Sequence, residues 1–419
     1  MNLFTRIATI SFAVLLTPIS AADLAESVER RVEAVMPEVV SWRRDLHEHP
    51  ELGNREFRTA GIIAEHLRGL GMEVRTEVAH TGVIGVLKGG DGPVVALRAD
   101  MDGLPVTELV DLPFASKARG EYLGQDVGVM HACGHDNHVA ILMGVAEVLA
   151  GLGDELPGTV LFLFQPAEEG GNAGAKSMIK DGLFSKFNID SVWGIHNWPG
   201  VPVGQAVIHE GFAMAGGDII VITIEGKGGH AAQPQFSNDP MVSAGLTITA
   251  LQSCISRQLN PFDQSVLSLT KIEGGSAFNV IPDKVTIGGT LRSTNTDTRN
   301  DMLEKIKHAA QGACSVNNCS VNIEIRPGYP STINDKKSAI FASSVFENSF
   351  GLNSLNKEEK PTMTSEDFSY MLQEKPGAYI WLGAGEKSEK LHSAHYDFND
   401  ELLPIGAEYW ASLAEKTLE

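Results

Sequence analysis

The chain has 419 residues, with 33 Lys+Arg against 53 Asp+Glu and a formal net charge of −20. Hydrophobic residues make up 43% and charged residues 21%, globular values that exclude a disordered or collagen-like chain. So negative a protein repels phosphate backbones and anionic headgroups, which argues against nucleic-acid and membrane binding. Four cysteines are too few for a disulfide-built scaffold.

Residues 1–22 read as an export signal: a basic start, an apolar run over 7–19, and the small residues Ser20-Ala21-Ala22, with cleavage expected after Ala22. The run is shorter than the roughly 20 residues of a membrane span. The product would be periplasmic in a Gram-negative cell and secreted otherwise. Residues 24–48 and 57–70 show helical spacing of apolar positions. Short apolar runs at 94–99, 160–165 and 191–196 then alternate with helical segments. That order predicts an α/β layered domain with a mostly parallel sheet. Near Gly216 the texture changes. Residues 218–225 read as a strand, 240–259 as a helix, 265–273 and 284–292 as strands, 298–314 as a helix and 321–326 as a strand. This is the order of a small ferredoxin-like α+β sandwich. After about Pro327 the α/β texture returns. Residues 213–328 therefore read as an insertion into a larger domain made of 23–212 and 329–419.

Five segments concentrate reactive residues at expected strand ends and loops, where sites usually lie. Arg98-Ala99-Asp100-Met101-Asp102 runs a strand into two acids. His131-Ala132-Cys133-Gly134-His135-Asp136-Asn137-His138 gathers a thiol and several imidazoles. Cys133 and His135 can share one metal if Gly134 turns the chain sharply. Glu168-Glu169 follows a buried-looking strand, and adjacent carboxylates there call for a positive partner. A divalent cation supplies it, one carboxylate binding metal and its neighbour moving protons. His196 ends another apolar strand, and Leu391-His392-Ser393-Ala394-His395 adds imidazoles far along the chain. One thiolate, one carboxylate and three imidazoles suffice for two metal ions sharing ligands.

With these motifs the chain resembles the M20 metallopeptidase family, in the amidohydrolase branch of hippurate hydrolases, N-acyl-amino-acid amidohydrolases and plant auxin-conjugate hydrolases. The likeness runs from Trp42-Arg43-Arg44-Asp45-Leu46-His47 and Pro50-Glu51-Leu52 to Asp397-Phe398-Asn399 and Leu403-Pro404-Ile405-Gly406-Ala407. It implies Cys133, His135, Glu169, His196 and His392 as ligands of two divalent ions (zinc or manganese, with cobalt also accommodated). It implies Glu168 as general base and then acid, and Asp100, with Asp136 a further candidate, as an acid that orients a ligand. His392 is preferred to His395 because the family's ligand directly follows Leu. His230, in Gly228-Gly229-His230-Ala231, would polarise the scissile carbonyl, often from a partner subunit. Asn279 and Arg292 would grip the substrate carboxylate. The implied reaction is hydrolysis of a small-molecule N-acyl or N-aroyl amino acid, in a homodimer formed through the inserted domain.

Competing readings are a dipeptidase or carboxypeptidase of the same family and a non-catalytic exported ligand- or metal-binding protein, against which the retained Glu168 argues. No Gly-x-Ser-x-Gly elbow supports a serine hydrolase, and the glycine pairs lack the spacing of nucleotide loops. Cys314 and Cys319 can be either a small-loop disulfide or unpaired core thiols.

Overall fold

The structure, a computed structural model, describes residues 21–171 and 174–419. The expected export signal lies outside the described residues, apart from Ala21 and Ala22 at the start of the first helix, Ala21–Glu48.

The larger sheet has seven strands. In spatial order they are Glu73–Val78, Gly82–Lys88, Thr159–Gln165, Val94–Asp100, Ser191–Pro199, Gly377–Gly385 and Ala206–Val207. The four from Thr159–Gln165 to Gly377–Gly385 run parallel. Both their faces are covered, so the strands are apolar except toward their C-terminal ends. Alternation divides each between two cores. Val160, Phe162 and Phe164 face one that also takes side chains from the helices Ala21–Glu48, His135–Ala150 and Leu402–Leu418. Leu161 and Leu163 face another, with Ala175, Met178, Phe368 and Met371.

The antiparallel pair Glu73–Val78 and Gly82–Lys88 was not anticipated from the sequence. Gly85 interrupts its apolar run, because the helix Phe57–Gly69 packs so closely that a β-carbon there would lie 2.9 Å from Leu67 Cδ1.

Gly216–Glu225, Ser265–Gly274, Lys284–Ser293 and Ser320–Pro327 form a separate four-stranded antiparallel sheet. Strand Ser265–Gly274 lies at one edge. Ile220, Ile222 and Ile224 pack on Leu251, Met302 and Ile306 from the helices Pro240–Ser253 and Thr296–Ser315. The strand and helix order is ferredoxin-like. The Asp239 carboxylate caps the first of these helices, accepting from the amides of Met241 and Val242, with Pro240 in its first turn. The expected helix over 240–259 is α-helical only to Ser253, and Cys254–Gln258 is a π turn.

Cys254, Cys314 and Cys319 are free thiols. Among the described residues, no helix is long and apolar enough to cross a membrane.

Candidate metal centre

Neighbouring parallel strands deliver their C-terminal ends to one place. Asp100 and Gln165 end two of them and His196 lies near the end of a third. Above this edge the helix His135–Ala150 begins after Gly134, whose φ of 90° is left-handed. A β-carbon on Gly134 would meet Asn197 Oδ1 at 2.5 Å, so only glycine allows the turn that puts Cys133 and His135 on one side. The loop of Glu168 and Glu169 and the loop of His392 close the cluster, and the His392 amide donates to the Ala132 carbonyl at 2.8 Å.

Ligand atoms of Cys133, His135 and His196 lie within 4.8 Å of one another, as do those of Cys133, Glu169 and His392, and those of His135, Glu168 and Glu169. The overlap joins all six residues. Cys133 Sγ is 3.4 Å from His196 Nε2, and His392 Nε2 is 3.2 Å from Glu169 Oε1. A cavity of about 710 Å³ opens over them.

The donor chemistry fits divalent cations. His135 Nδ1 donates to the Asp102 carbonyl at 2.8 Å and His196 Nδ1 to the Asn197 carbonyl at 2.7 Å. A carbonyl only accepts, so each Nδ1 carries the proton and each Nε2 keeps its lone pair for a metal. His135 Nε2 is buried without a hydrogen-bond partner among the described residues. Burial, then Glu169 and Glu168, push the Cys133 thiol well above its ordinary range. Burial, then Glu366, Glu169, Asp367 and Asp102, do the same to the Glu168 carboxyl. Burial opposes a charge on His135, yet Asp100 and Asp102 outweigh it and lift the imidazole to about 10. Such a group holds its anions only with positive charge among them, and a bound cation reverses these preferences.

The family comparison agrees. The model of peptidase family M20/M25/M40 matches residues 96–416. The chain belongs to this family. It is 40% identical over 388 residues to the IAA-amino acid hydrolase ILR1-like 5 of Arabidopsis thaliana, covering 91% of this chain and 86% of that protein. It is 40% identical over 378 residues to the hippurate hydrolase of Campylobacter jejuni, covering 90% and 96%. A Bacillus subtilis crystal structure described as a dinuclear metal binding peptidase from the M20 family superposes with a TM-score of 0.80 at 34% identity, covering 92% and 99%. The protein is thus an M20 metallo-amidohydrolase of the amidohydrolase branch.

Within this M20 fold, Asp100 is wholly buried, accepting from Arg98 at 2.8 Å and paired with His138 at 2.5 Å, with His135 Nε2 at 3.5 Å. Asp136 instead faces Arg43 at 3.1 Å and His47 at 2.9 Å. Arg43 and Arg44 also reach Asp400, at 3.5 and 2.7 Å, so the first helix, the Cys133–His135 turn and the approach to the last helix are clasped together. Arg292 lines the cavity and donates to Ser365 Oγ at 2.8 Å. His230 and Asn279 do not line it. They lie side by side on an exposed two-stranded ribbon, where His230 is paired with Val280 and the Asn279 carbonyl accepts from Ala231. His395 is exposed and belongs to none of the ligand groupings.

Sequence reasoning gave no role to four residues at this site, although Arg98 fell within a segment it singled out. Arg98 donates to Gln165, Asp100, Glu366 and Asp367 from a fully buried position. Glu366 and Asp367 approach Glu168. The Tyr329 hydroxyl donates to the Glu168 carbonyl. The run Ser365-Glu366-Asp367 ahead of an apolar segment was a usable signal for the two acids; Tyr329 carried none.

Proposed function

We propose that this enzyme hydrolyses the amide bond of N-acyl or N-aroyl amino acids, releasing a carboxylic acid and a free amino acid. The supporting observation is the convergence of Glu168 with Cys133, His135, Glu169, His196 and His392 beneath a cavity that Arg292 also lines. Cys133, His135, Glu169, His196 and His392 would hold two divalent ions, zinc, manganese or cobalt. When bound, the ions lower the pKa of water and polarise the amide carbonyl. Glu168 takes the proton of the attacking water and returns it to the leaving nitrogen. The Asp102 carbonyl keeps His135 in register, and Asp100 does the same for His138 beside it. The Arg292 fork, steadied by Ser365, pairs with the carboxylate of the amino-acid half. Trp198, Met214 and Leu391 offer an apolar wall to the acyl half. Trp198 is stacked on buried Trp381 at 3.8 Å and so presents a fixed flat face.

His230 would donate to the developing oxyanion from a second subunit, with Asn279 beside it. The exposed ribbon supports this arrangement. Around it lie Phe278, Val280, Met241 and Val242, all solvent-exposed, and the edge strand Ser265–Gly274 exposes Val266 and Ile272. Such an apolar, unpaired edge suits self-pairing in a homodimer. Export fits the reading of residues 1–22. Metal coordination would then protect the Cys133 thiol from oxidation.

The test is amino-acid release from a panel of N-acyl amino acids and dipeptides with zinc, manganese and cobalt added in turn. N-acyl amino acids should be cleaved fastest. Glu168→Gln should keep its metal and lose about 10³–10⁴-fold in kcat. Preferred cleavage of dipeptides would favour the peptidase reading, and near-normal turnover by Glu168→Gln would remove the base.

A further inference from the structure

The loop that carries Glu168 and Glu169 has a backbone shape its own residues do not favour. Ala167 has φ 52°, a left-handed conformation disfavoured by a β-carbon. The amides of Ala167, Glu168 and Glu169 turn in succession toward two buried carboxylates. Asp102 accepts from Glu168 at 3.1 Å and from Glu169 at 2.9 Å. Glu56 accepts from Ala167 at 2.8 Å. Convergent backbone N–H groups of this kind usually cradle a bound anion. Here the chain provides the anions itself.

Glu56 is wholly buried just ahead of the helix Phe57–Gly69, and its second oxygen accepts from the Thr81 hydroxyl at 2.6 Å. The fit around the loop is close: a β-carbon on Gly53 would lie 3.1 Å from Asp102 Oδ2 and 3.2 Å from Ala167 Cα. Glu56 is not among the residues that line the cavity, so it acts only through the loop.

We propose that Glu56 is a positioning residue for amide hydrolysis. By holding the Ala167 amide it keeps Ala167 left-handed, and so aims the two carboxylates that follow. This rests on the reading of Glu168 as base and Glu169 as metal ligand. A rotation at Ala167 swings both side chains together. Without the Glu56 carboxylate the Ala167 amide has lost its acceptor. Among the described residues, only the bonds of Asp102 to the next two amides, of Tyr329 to the Glu168 carbonyl and of the Gly174 amide to the Ala167 carbonyl then oppose the relaxation of Ala167 to an ordinary conformation. Glycine has no such preference, because the left-handed region costs it nothing.

The experiment measures kcat, KM, bound metal and melting temperature for metal-loaded Glu56→Ala, Glu56→Gln, Ala167→Gly and the Glu56→Ala/Ala167→Gly double variant. Glu56→Ala should lose about 10²-fold in kcat with KM changed less than about threefold, the scale of a misplacement near 1 Å. Glu56→Gln, which keeps an oxygen for the Ala167 amide, should lose less than about tenfold. Adding Ala167→Gly to Glu56→Ala should recover about tenfold, while the same change in the wild type brings no gain. A merely structural Glu56 predicts the reverse, an additive or worse double variant, and that result overturns the proposal. If Glu56→Ala does not fold, Thr81→Val carries the test: it should lower kcat roughly threefold to tenfold and be rescued by Ala167→Gly, and a folded Thr81→Val with full kcat overturns the proposal. Turnover by Glu168→Gln would instead refute the base itself. An inactive Glu168→Gln beside fully active Glu56 variants sinks this inference alone.

Discussion

Two histidines, His196 and His230, show how differently this chain uses one residue type. His196 is buried at a strand end, its Nδ1 fixed by a backbone carbonyl and its Nε2 facing a thiol. His230 stands on an exposed ribbon, with its Nδ1 accepting from the Ala232 amide. The surroundings of the first are complete inside one chain. Those of the second are open to solvent. Both tautomers are fixed by the backbone, so it is burial that separates the histidine whose surroundings are complete in the single chain from the one whose proposed role calls for a second subunit.

That contrast can be broken at several points. The largest effect is expected at Cys133→Ala, which should release metal and abolish turnover; unchanged metal content by elemental analysis would take Cys133 out of the centre. Next comes His230→Ala, expected to lose about 10²–10³-fold in kcat. Mixing it with Glu168→Gln subunits should restore activity, because one site in each mixed dimer then has both residues intact. Failure of the mixture to regain activity would place His230 outside any shared site. Arg292→Ala should raise KM about 10–100-fold for substrates with a free carboxylate, the range for a hydrogen bond to a charged group, and leave their amide analogues unaffected. A uniform rise for both would remove the carboxylate contact.

The smallest effect is a pH dependence of stability. Burial, then Asp102, raises Glu56 from 4.5 to about 7. A raised carboxyl favours the protonated folded state, so its contribution is complete below pH 4.5 and is lost as the pH rises through about 7. The melting temperature of the wild type should therefore fall relative to Glu56→Gln between these values. Parallel melting curves across that window would show that Glu56 titrates normally.

The layered α/β fold and the ferredoxin-like unit were legible because the apolar runs at 94–99, 160–165 and 191–196 alternate with helices, and because 218–326 alternates in the right order. The Glu73–Lys88 strand pair was not, since Gly85 answers to a helix that sequence periodicity does not display. Residues that would touch metal announced themselves by clustering, as Cys133 with His135 and Glu168 with Glu169 do. Residues that hold others at long range, such as Arg98 and Glu56, did not. Arg98 reaches Glu366 across 268 positions, and Glu56 reaches Ala167 across 111. Each looks like an ordinary charge until the fold removes the water around it.

The clasp of Arg43, Arg44, Asp136 and Asp400 has a consequence for where distant damage would be felt. Asp136 follows His135 directly on the turn, and Arg43 ties it both to the first helix and to Asp400. Arg43 is fully buried, so losing either carboxylate leaves its charge short of a counter-ion. A change in the first helix or on the approach to the last one would thus be transmitted, across most of the chain's length, to the backbone that carries Cys133 and His135.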